Sequence, residues 1–212
     1  MSSLRVGAIV PVKTFSRAKT RLNLSTEKTE RICEVMLESV LQTITQSNIE
    51  KTVLVSKDEK ALNIGKKFGV MGIYDQDELG VNNAVMLADK HFLGEKFDAT
   101  IVFPQDIPLI QPDDIQALLD MRTSHRCVLV VPSRKFDGTN ALFRTPVNVM
   151  ETHYDEDSYK IHLSTAEKRN ASSALGLIRR IMLDVDDQSD LRFILSYSDL
   201  EIAKSIVSIL DS

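Results

Sequence analysis

Ile9-Val10-Pro11-Val12-Lys13, followed after three residues by Arg17-Ala18-Lys19-Thr20-Arg21-Leu22, is the stretch from which the fold is read. The apolar run from Leu4 to Val12 has strand length and is rich in Val and Ile, which suits a strand buried on both faces of a parallel sheet. Pro11 has no N–H to give a ladder, so it is expected to mark where pairing stops. The loop beyond carries Lys13, Arg17, Lys19 and Arg21, four cations in nine residues. Open α/β sheets bind ligands beyond the carboxyl ends of their strands, so a buried first strand opening into a cationic loop is a place for a polyphosphate. A solvated basic loop would look the same on this stretch alone.

The rest of the chain decides between the two. The sequence has 212 residues, 43% of them hydrophobic and 26% charged, as in an ordinary globular protein. The formal net charge is −4, which argues against a nucleic-acid binder held by phosphate neutralisation. A basic cluster on an acidic background fits a small anionic ligand instead. Cys33 and Cys127 lie far apart in apolar surroundings and form no CxxC, which predicts buried thiols in a reducing compartment. The first apolar run is too short to span a membrane and has no basic segment before it, so a cytoplasmic protein with no membrane partner is expected. With no repeat, no low-complexity stretch and no linker, one domain over residues 1–212 is expected.

Along the chain, Ser25 caps a helix over 26–47, whose Ile32, Val35, Met36, Val40 and Ile44 recur at helical spacing. A strand at 52–56, a helix from Asp58 to Phe68 stopped by Gly69, and a strand at 70–74 follow. This β-α-β-α-β alternation predicts a parallel sheet with right-handed crossovers. Further strands are expected at 99–103, at 126–131, within 136–143 and along 177–185, with helices at 81–91, 112–121, 158–169 and toward the C-terminus.

Several polar loops punctuate these elements. Gly80-Val81-Asn82-Asn83-Ala84 opens a helix and can present backbone and amide groups to a nucleotide, or can be a plain capping turn. Asp106 sits between two prolines at the carboxyl end of the 99–103 strand, where one carboxylate oxygen can hold Mg²⁺ or cap the next turn. Asp113 and Asp114 suit a helix N-terminus and read as structural. Thr139 and Asn140 follow Gly138, which lets a ligand approach closely. Ser158 can be an N-cap or part of an anion site, and His162 lies one helical turn beyond it. Asp184 and Asp186 alternate, so they can share a face, and one of them can join Asp106 at a metal.

The ordered set Pro11-Val12-Lys13, Ala18-Lys19-Thr20-Arg21-Leu22, Gly80-Val81-Asn82-Asn83-Ala84, Asp106-Ile107-Pro108, Gly138-Thr139-Asn140-Ala141-Leu142, Ser158 with His162, and Leu183-Asp184-Val185-Asp186 with Asp190-Leu191 resembles the 2-phospho-L-lactate guanylyltransferase family. The resemblance covers nearly the whole chain. It implies a three-layer α/β fold with a mixed, mostly parallel sheet, of the nucleotide-diphospho-sugar transferase (glycosyltransferase-A-like) type, as a single nucleotidyltransferase domain. It also implies transfer of GMP from GTP to (2S)-2-phospholactate, giving lactyl-2-diphospho-5'-guanosine and pyrophosphate, in the biosynthesis of deazaflavin coenzyme F-420. Bacterial relatives use phosphoenolpyruvate. One departure stands out: relatives carry a Phe-Gly-x-Gly-Ser pattern where this chain has Tyr154-Asp155-Glu156-Asp157-Ser158. Added carboxylates facing inward would repel an anionic acceptor.

On that reading Asp106 and Asp186 hold Mg²⁺, and Lys13, Lys19 and Arg21 neutralise the triphosphate. Lys13, Gly80, Asn82, Asn83 and Asp106 meet the nucleotide, and Thr139, Asn140 and Ser158 meet the acceptor. The expected partners are GTP and a small phosphorylated 2-hydroxy acid, with a homodimer as the default assembly. A sugar-nucleotide glycosyltransferase would place an Asp-x-Asp motif at mid-chain, where this chain has Asp106-Ile107-Pro108. A nicotinamide dehydrogenase would carry G-x-G-x-x-G after the first strand, and that is missing. A non-catalytic nucleotide-binding module is the alternative that only an assay separates.

Overall fold

Among the described residues seven strands form one sheet, in the order β3-β2-β1-β4-β6-β5-β7. They are β1 (Val6–Val12), β2 (Lys51–Ser56), β3 (Met71–Tyr74), β4 (Ala99–Val102), β5 (Cys127–Pro132), β6 (Thr139–Thr145) and β7 (Ser172–Leu175). The structure is a computed structural model that describes residues 4–154 and 157–212. β1 pairs in parallel with both β2 and β4, β2 with β3, and β5 with β7. Only β6 runs antiparallel to its neighbours, β4 and β5. The sheet is therefore mixed and mostly parallel, as the sequence implied.

Apolar residues on both sides of each central strand make this a three-layer molecule. Ala8, Val10 and Val12 of β1 face one side with α1 (Thr26–Thr45), α2 (Glu59–Lys67), α4 (Pro112–Asp120), α6 (Gln188–Leu195) and α7 (Glu201–Asp211). Ile9 faces the other side, with α3 (Val81–Gly94) and α5 (Ser158–Lys168). That two-residue period, with apolar groups at every position, is why β1 reads as a continuous hydrophobic run. Ser25 and Asp58 cap α1 and α2, accepting from Lys28 N at 3.3 Å and Lys60 N at 2.9 Å. Fully buried Arg144 of β6 grips Asp89 of α3 through two bonds of 2.8 and 2.6 Å, tying that helix to the antiparallel strand.

Topology places the ligand site. From β1 the chain moves outward to β2 and β3, then returns to β4 on the other side of β1. The carboxyl ends of β1 and β4 therefore flank a switch point, where connecting loops diverge and leave a crevice.

Two expectations from sequence need correction. Pro11 does not end pairing. It lies opposite Val55, and β1 stays in register with β2 through Val12. Only the pairing to β4 stops earlier, at Ile9, so the missing N–H falls on the side where β1 has already left its neighbour. The run 177–185 is not a strand. Its residues turn, with Ile181 N and Met182 N both donating to Ile178 O, while the last strand is the polar-edged Ser172–Leu175. Arg180 is drawn instead to Asp114 through bonds of 2.7 and 2.8 Å, and Ile181, Leu183 and Val185 still bury into the core without a ladder.

Candidate active site

The cationic loop after β1 folds as two short 3-10 turns, Phe15–Arg17 and Thr20–Leu22. Phe15 is buried beneath it, and two backbone bonds anchor it: Thr14 N donates to Glu78 at 2.6 Å and Phe15 N to Asp58 at 2.9 Å. Lys19 joins the turns in the left-handed region, at φ 52°. The four cations then part company. Arg17 and Arg21 keep 72% and 68% of their side chains in solvent, whereas Lys19 keeps 9%.

The Lys19 ammonium is held between two carboxylates. It donates to Asp106 Oδ2 from the loop after β4, and to Asp186 Oδ1 at 2.6 Å. Arg21 reaches the other oxygen of Asp186 at 2.8 Å. Burial works against the charge on Lys19, but the two carboxylates outweigh it and hold its pKa above the ordinary lysine value. Burial likewise opposes ionisation of Asp186, and Lys19 and Arg21 reverse that, leaving its carboxyl below the usual range. The two loops are joined through backbone as well, by Val185 N donating to Asp106 O at 2.9 Å.

Asp184 is a third carboxyl nearby. Burial, then the charge of Asp106, push it up to about 6. Asn140 Nδ2 holds it at 3.0 Å and bonds Ile181 O at 3.0 Å, so Asn140 braces the 181–184 turn. Asp106 Oδ1 is buried with no hydrogen-bond partner among the described residues. An orphaned carboxylate oxygen beside a second carboxylate is a hard-oxygen donor set that suits Mg²⁺, which takes one or two carboxylates and completes its shell with substrate phosphates and water. Among the described residues no three His, Cys, Asp or Glu side chains close around one point, so the protein alone offers such an ion a partial shell.

A cleft of about 880 Å³ opens over this pair. Of the residues singled out from sequence, Lys13, Lys19, Arg21, Gly80, Asn82, Asp106, Thr139 and Asp186 line it. Asn83, Asn140 and Ser158 do not, and each sits one layer behind. Asn83 Nδ2 donates to Asp75 Oδ1 at 3.1 Å, and Ser158 Oγ donates to Thr139 Oγ1 at 2.9 Å. Those two side chains are spent on residues that do reach the cleft, whereas Asn140 is spent on Ile181 O and Asp184, which do not. Gly80, at φ 102°, is a conformation that suits glycine, and it starts α3 with no side-chain cap, so the first N–H groups of that helix are left for a ligand. Asn82 spends its carbonyl on Tyr154 N at 2.9 Å.

The Thr139 hydroxyl has its direction set by three neighbours. His153 N, an obligate donor, bonds His162 Nε2 at 2.9 Å, so that nitrogen is bare. Burial lowers the His162 pKa to about 3, so the ring is neutral and its proton sits on Nδ1, 3.0 Å from Thr139 Oγ1. Thr139 thus accepts from both His162 and Ser158, and its own proton is left for the cleft. The acidic pair Asp155 and Glu156 lies outside the described residues. Gln105 and Asp75, both buried at the cleft wall, were not signalled by any motif.

Comparisons with known proteins bear on the family and on the fold. Residues 6–208 match the family model described as "Guanylyl transferase CofC like". The chain is 30% identical over 193 residues to a 2-phospho-L-lactate guanylyltransferase of Methanobrevibacter smithii, covering 90% of this chain and 84% of that one. It is 31% identical over 188 residues to a phosphoenolpyruvate guanylyltransferase of Conexibacter woesei, covering 87% and 84%. In fold it is similar to a crystal structure from Desulfovibrio desulfuricans G20 described as a nucleotide-diphospho-sugar transferase, with TM-score 0.75, 15% identity and coverage of 97% and 95%. A 4-diphosphocytidyl-2C-methyl-D-erythritol synthase from Anaerococcus prevotii gives TM-score 0.66 at 11% identity, covering 93% and 97%.

Proposed function

The chain belongs to the CofC-like guanylyl transferase family, and from that premise we propose that it transfers GMP from GTP to (2S)-2-phospholactate in the biosynthesis of coenzyme F-420. The observation that carries this reading is the Asp106–Lys19–Asp186 cluster at the carboxyl ends of β1 and β4. It puts opposite charges together where two polyanions would have to meet.

The chemistry asked of the protein is modest. The second pKa of a phosphate monoester is about 6, so near neutral pH the acceptor is already a nucleophile and needs no base. One of its phosphate oxygens forms a bond to the α-phosphorus of GTP as the bond to the β-phosphate oxygen breaks, and pyrophosphate leaves with that electron pair. His162, neutral and engaged at both nitrogens, is not called on as a base. What opposes the reaction is repulsion between substrates, so catalysis is positioning and charge neutralisation. Lys13, Lys19 and Arg21 supply positive charge to the triphosphate and the departing pyrophosphate. Thr139 offers its proton to an oxygen of the acceptor, with Ser158 donating to it from behind, while Asn140 holds Asp184. Asp106 and Asp186 would hold Mg²⁺, whose chemistry there is to neutralise phosphate charge and polarise the α-phosphoryl group.

Pyrophosphate release tests the reading, with GTP or ATP crossed against 2-phospholactate or phosphoenolpyruvate, with and without Mg²⁺. Turnover should require GTP, Mg²⁺ and a phosphorylated three-carbon acid, and should be faster with 2-phospholactate. Phosphoenolpyruvate is included because the Conexibacter woesei relative is named for it. Binding of GTP without pyrophosphate release from any pair would make the chain a nucleotide-binding module instead.

A further inference from the structure

At the other end of the cleft from the metal-binding carboxylates stands Asp75, immediately after β3. Its backbone is pinned by a bond from Asp75 N to Ser56 O of 2.9 Å, which carries the β2–β3 ladder one residue further. Its side chain is buried, 5% of the residue remaining accessible, yet it borders the cleft. Among the described residues its one side-chain hydrogen bond comes from Asn83 Nδ2, at 3.1 Å, and no cation pairs with it. The second oxygen of that carboxylate is not buried, and since Asp75 lines the cleft its spare acceptor capacity is open to a ligand there.

The surroundings suit a flat heterocycle. Pro11, Val55, Leu79, Val81 and Ala84 give the cleft its apolar lining, Lys19 and Arg21 pair with the carboxylates at the Asp106 end, and Arg17 lies 3.6 Å from Glu78 on the loop that follows Asp75. β3 and β4 are separated by β2 and β1, so their ends lie three strand spacings apart, roughly 14 Å. With a hydrogen bond allowed for at the base end and a contact at the phosphate end, a purine nucleotide fits that span from base edge to α-phosphate. A nucleotide with its α-phosphate over Asp106 would set its base beside Asp75.

We propose that Asp75 is the guanine-reading residue: its carboxylate accepts the N1–H and a 2-amino N–H of the base, and Asn83 positions it for both. This rests on the reading of GTP as the donor. Two adjacent donors facing two carboxylate oxygens form a paired, geometrically specific contact. Adenine presents an acceptor at N1 and no 2-amino group, so it would leave the carboxylate unpaired and meet it lone pair to lone pair. Sites built to bond a particular N–H reject analogues that lack it by large factors, because a buried polar group is stranded.

The test is Asp75→Asn, an isosteric change, assayed by pyrophosphate release and by calorimetric binding without acceptor, using GTP, ITP, XTP and ATP. An asparagine accepts from N1–H and donates to the 2-oxo group of xanthine, so the variant should lose about 10²-fold in kcat/KM and affinity for GTP and should prefer XTP. The wild type should bind ITP about tenfold more weakly than GTP. Asn83→Ala, which keeps the carboxylate and removes its brace, should narrow the GTP-to-ITP ratio, and it serves if Asp75→Asn does not fold. Unchanged GTP-over-XTP preference in Asp75→Asn, or an unchanged GTP-to-ITP ratio in Asn83→Ala where that variant has to serve, overturns the assignment. If no pair releases pyrophosphate but binding switches from GTP to XTP, Asp75 still reads the base and the transfer reading falls alone. Equal wild-type binding of GTP and ATP overturns both.

Discussion

Lys19 Nζ stands 2.6 Å from Asp186 Oδ1 while also bonding Asp106 Oδ2, so one ammonium holds together loops from opposite ends of the chain. Any divalent cation bound by those carboxylates has to displace or share that lysine. Asp106→Asn should lower kcat by about 10²–10³ with the fold intact, the usual loss for one preorganised charged group at such a centre. Near-wild-type turnover would remove Asp106 from the machinery.

Lys19→Met separates the two roles of the lysine. Activity should again fall about 10²–10³-fold. Stability without metal should drop by about 1–3 kcal/mol, the cost of leaving part-buried acceptors unsatisfied. With the competing ammonium gone, added Mg²⁺ should raise the thermal midpoint of Lys19→Met more than that of the wild type. Equal or smaller shifts in a calorimetric scan would contradict a shared site.

His162 touches neither substrate in the proposed reaction, yet it decides which way the Thr139 proton points. His162→Phe should raise the acceptor KM about tenfold, worth about 1.4 kcal/mol of one lost hydrogen bond, while the GTP KM holds. His162→Asn places an amide N–H near the old Nδ1 position and should recover most of that loss. Steady-state kinetics on the two variants suffice. A parallel rise in both KM values would mark a general loss of structure.

Cys33 illustrates a group that is near the site and takes no part in it. Burial pushes its thiol up to about 12, so almost no thiolate is present at pH 8. Native protein should resist a thiol-specific chromogenic reagent at both cysteines, which are buried, and both should react once the chain is unfolded. Fast modification of the folded enzyme would show that the face of α1 that carries Cys33 does not stay packed in the core.

How much of this was legible beforehand differs by kind of residue. The β1 run and the Asp106 turn were readable because burial and strand ends leave marks in local sequence, a continuous apolar stretch and a carboxylate between prolines. The Lys19 pairing was readable only as convergence, since Asp186 lies far along the chain and nothing local links them. The run 177–185 has strand composition and misled, because composition does not reveal that β7 already occupies the place beside β5. Asn83, Asn140 and Ser158 were placed in the right region but one layer too far forward. A motif marks which loops gather, not which side chain of a neighbouring pair reaches the cleft. Asp75 carried no signal, since one acid in Tyr74-Asp75-Gln76-Asp77-Glu78 looks like any solvated turn until burial is known.

The buried imidazole should also set a pH limit on stability. In the unfolded chain a histidine takes up a proton near 6.5, whereas in the fold His162 does so only near 3. Between those values the unfolded state binds the extra proton, so native stability is full above about 6.5 and declines as pH falls below it. By pH 5 the loss attributable to this ring is about 2 kcal/mol. Asp184 acts in the opposite sense, because its folded pKa of about 6 lies above its unfolded value, so acidification through that range favours the native state. The wild-type profile alone therefore mixes two trends. The difference between wild type and His162→Asn isolates the ring, since Asp184 is common to both. Denaturant unfolding at pH 7.5, 6.5, 5.5 and 5.0 should show the wild type losing stability relative to His162→Asn as pH falls. Parallel profiles would mean that His162 takes up a proton as readily in the fold as in the unfolded chain, which its role as acceptor for His153 N does not allow.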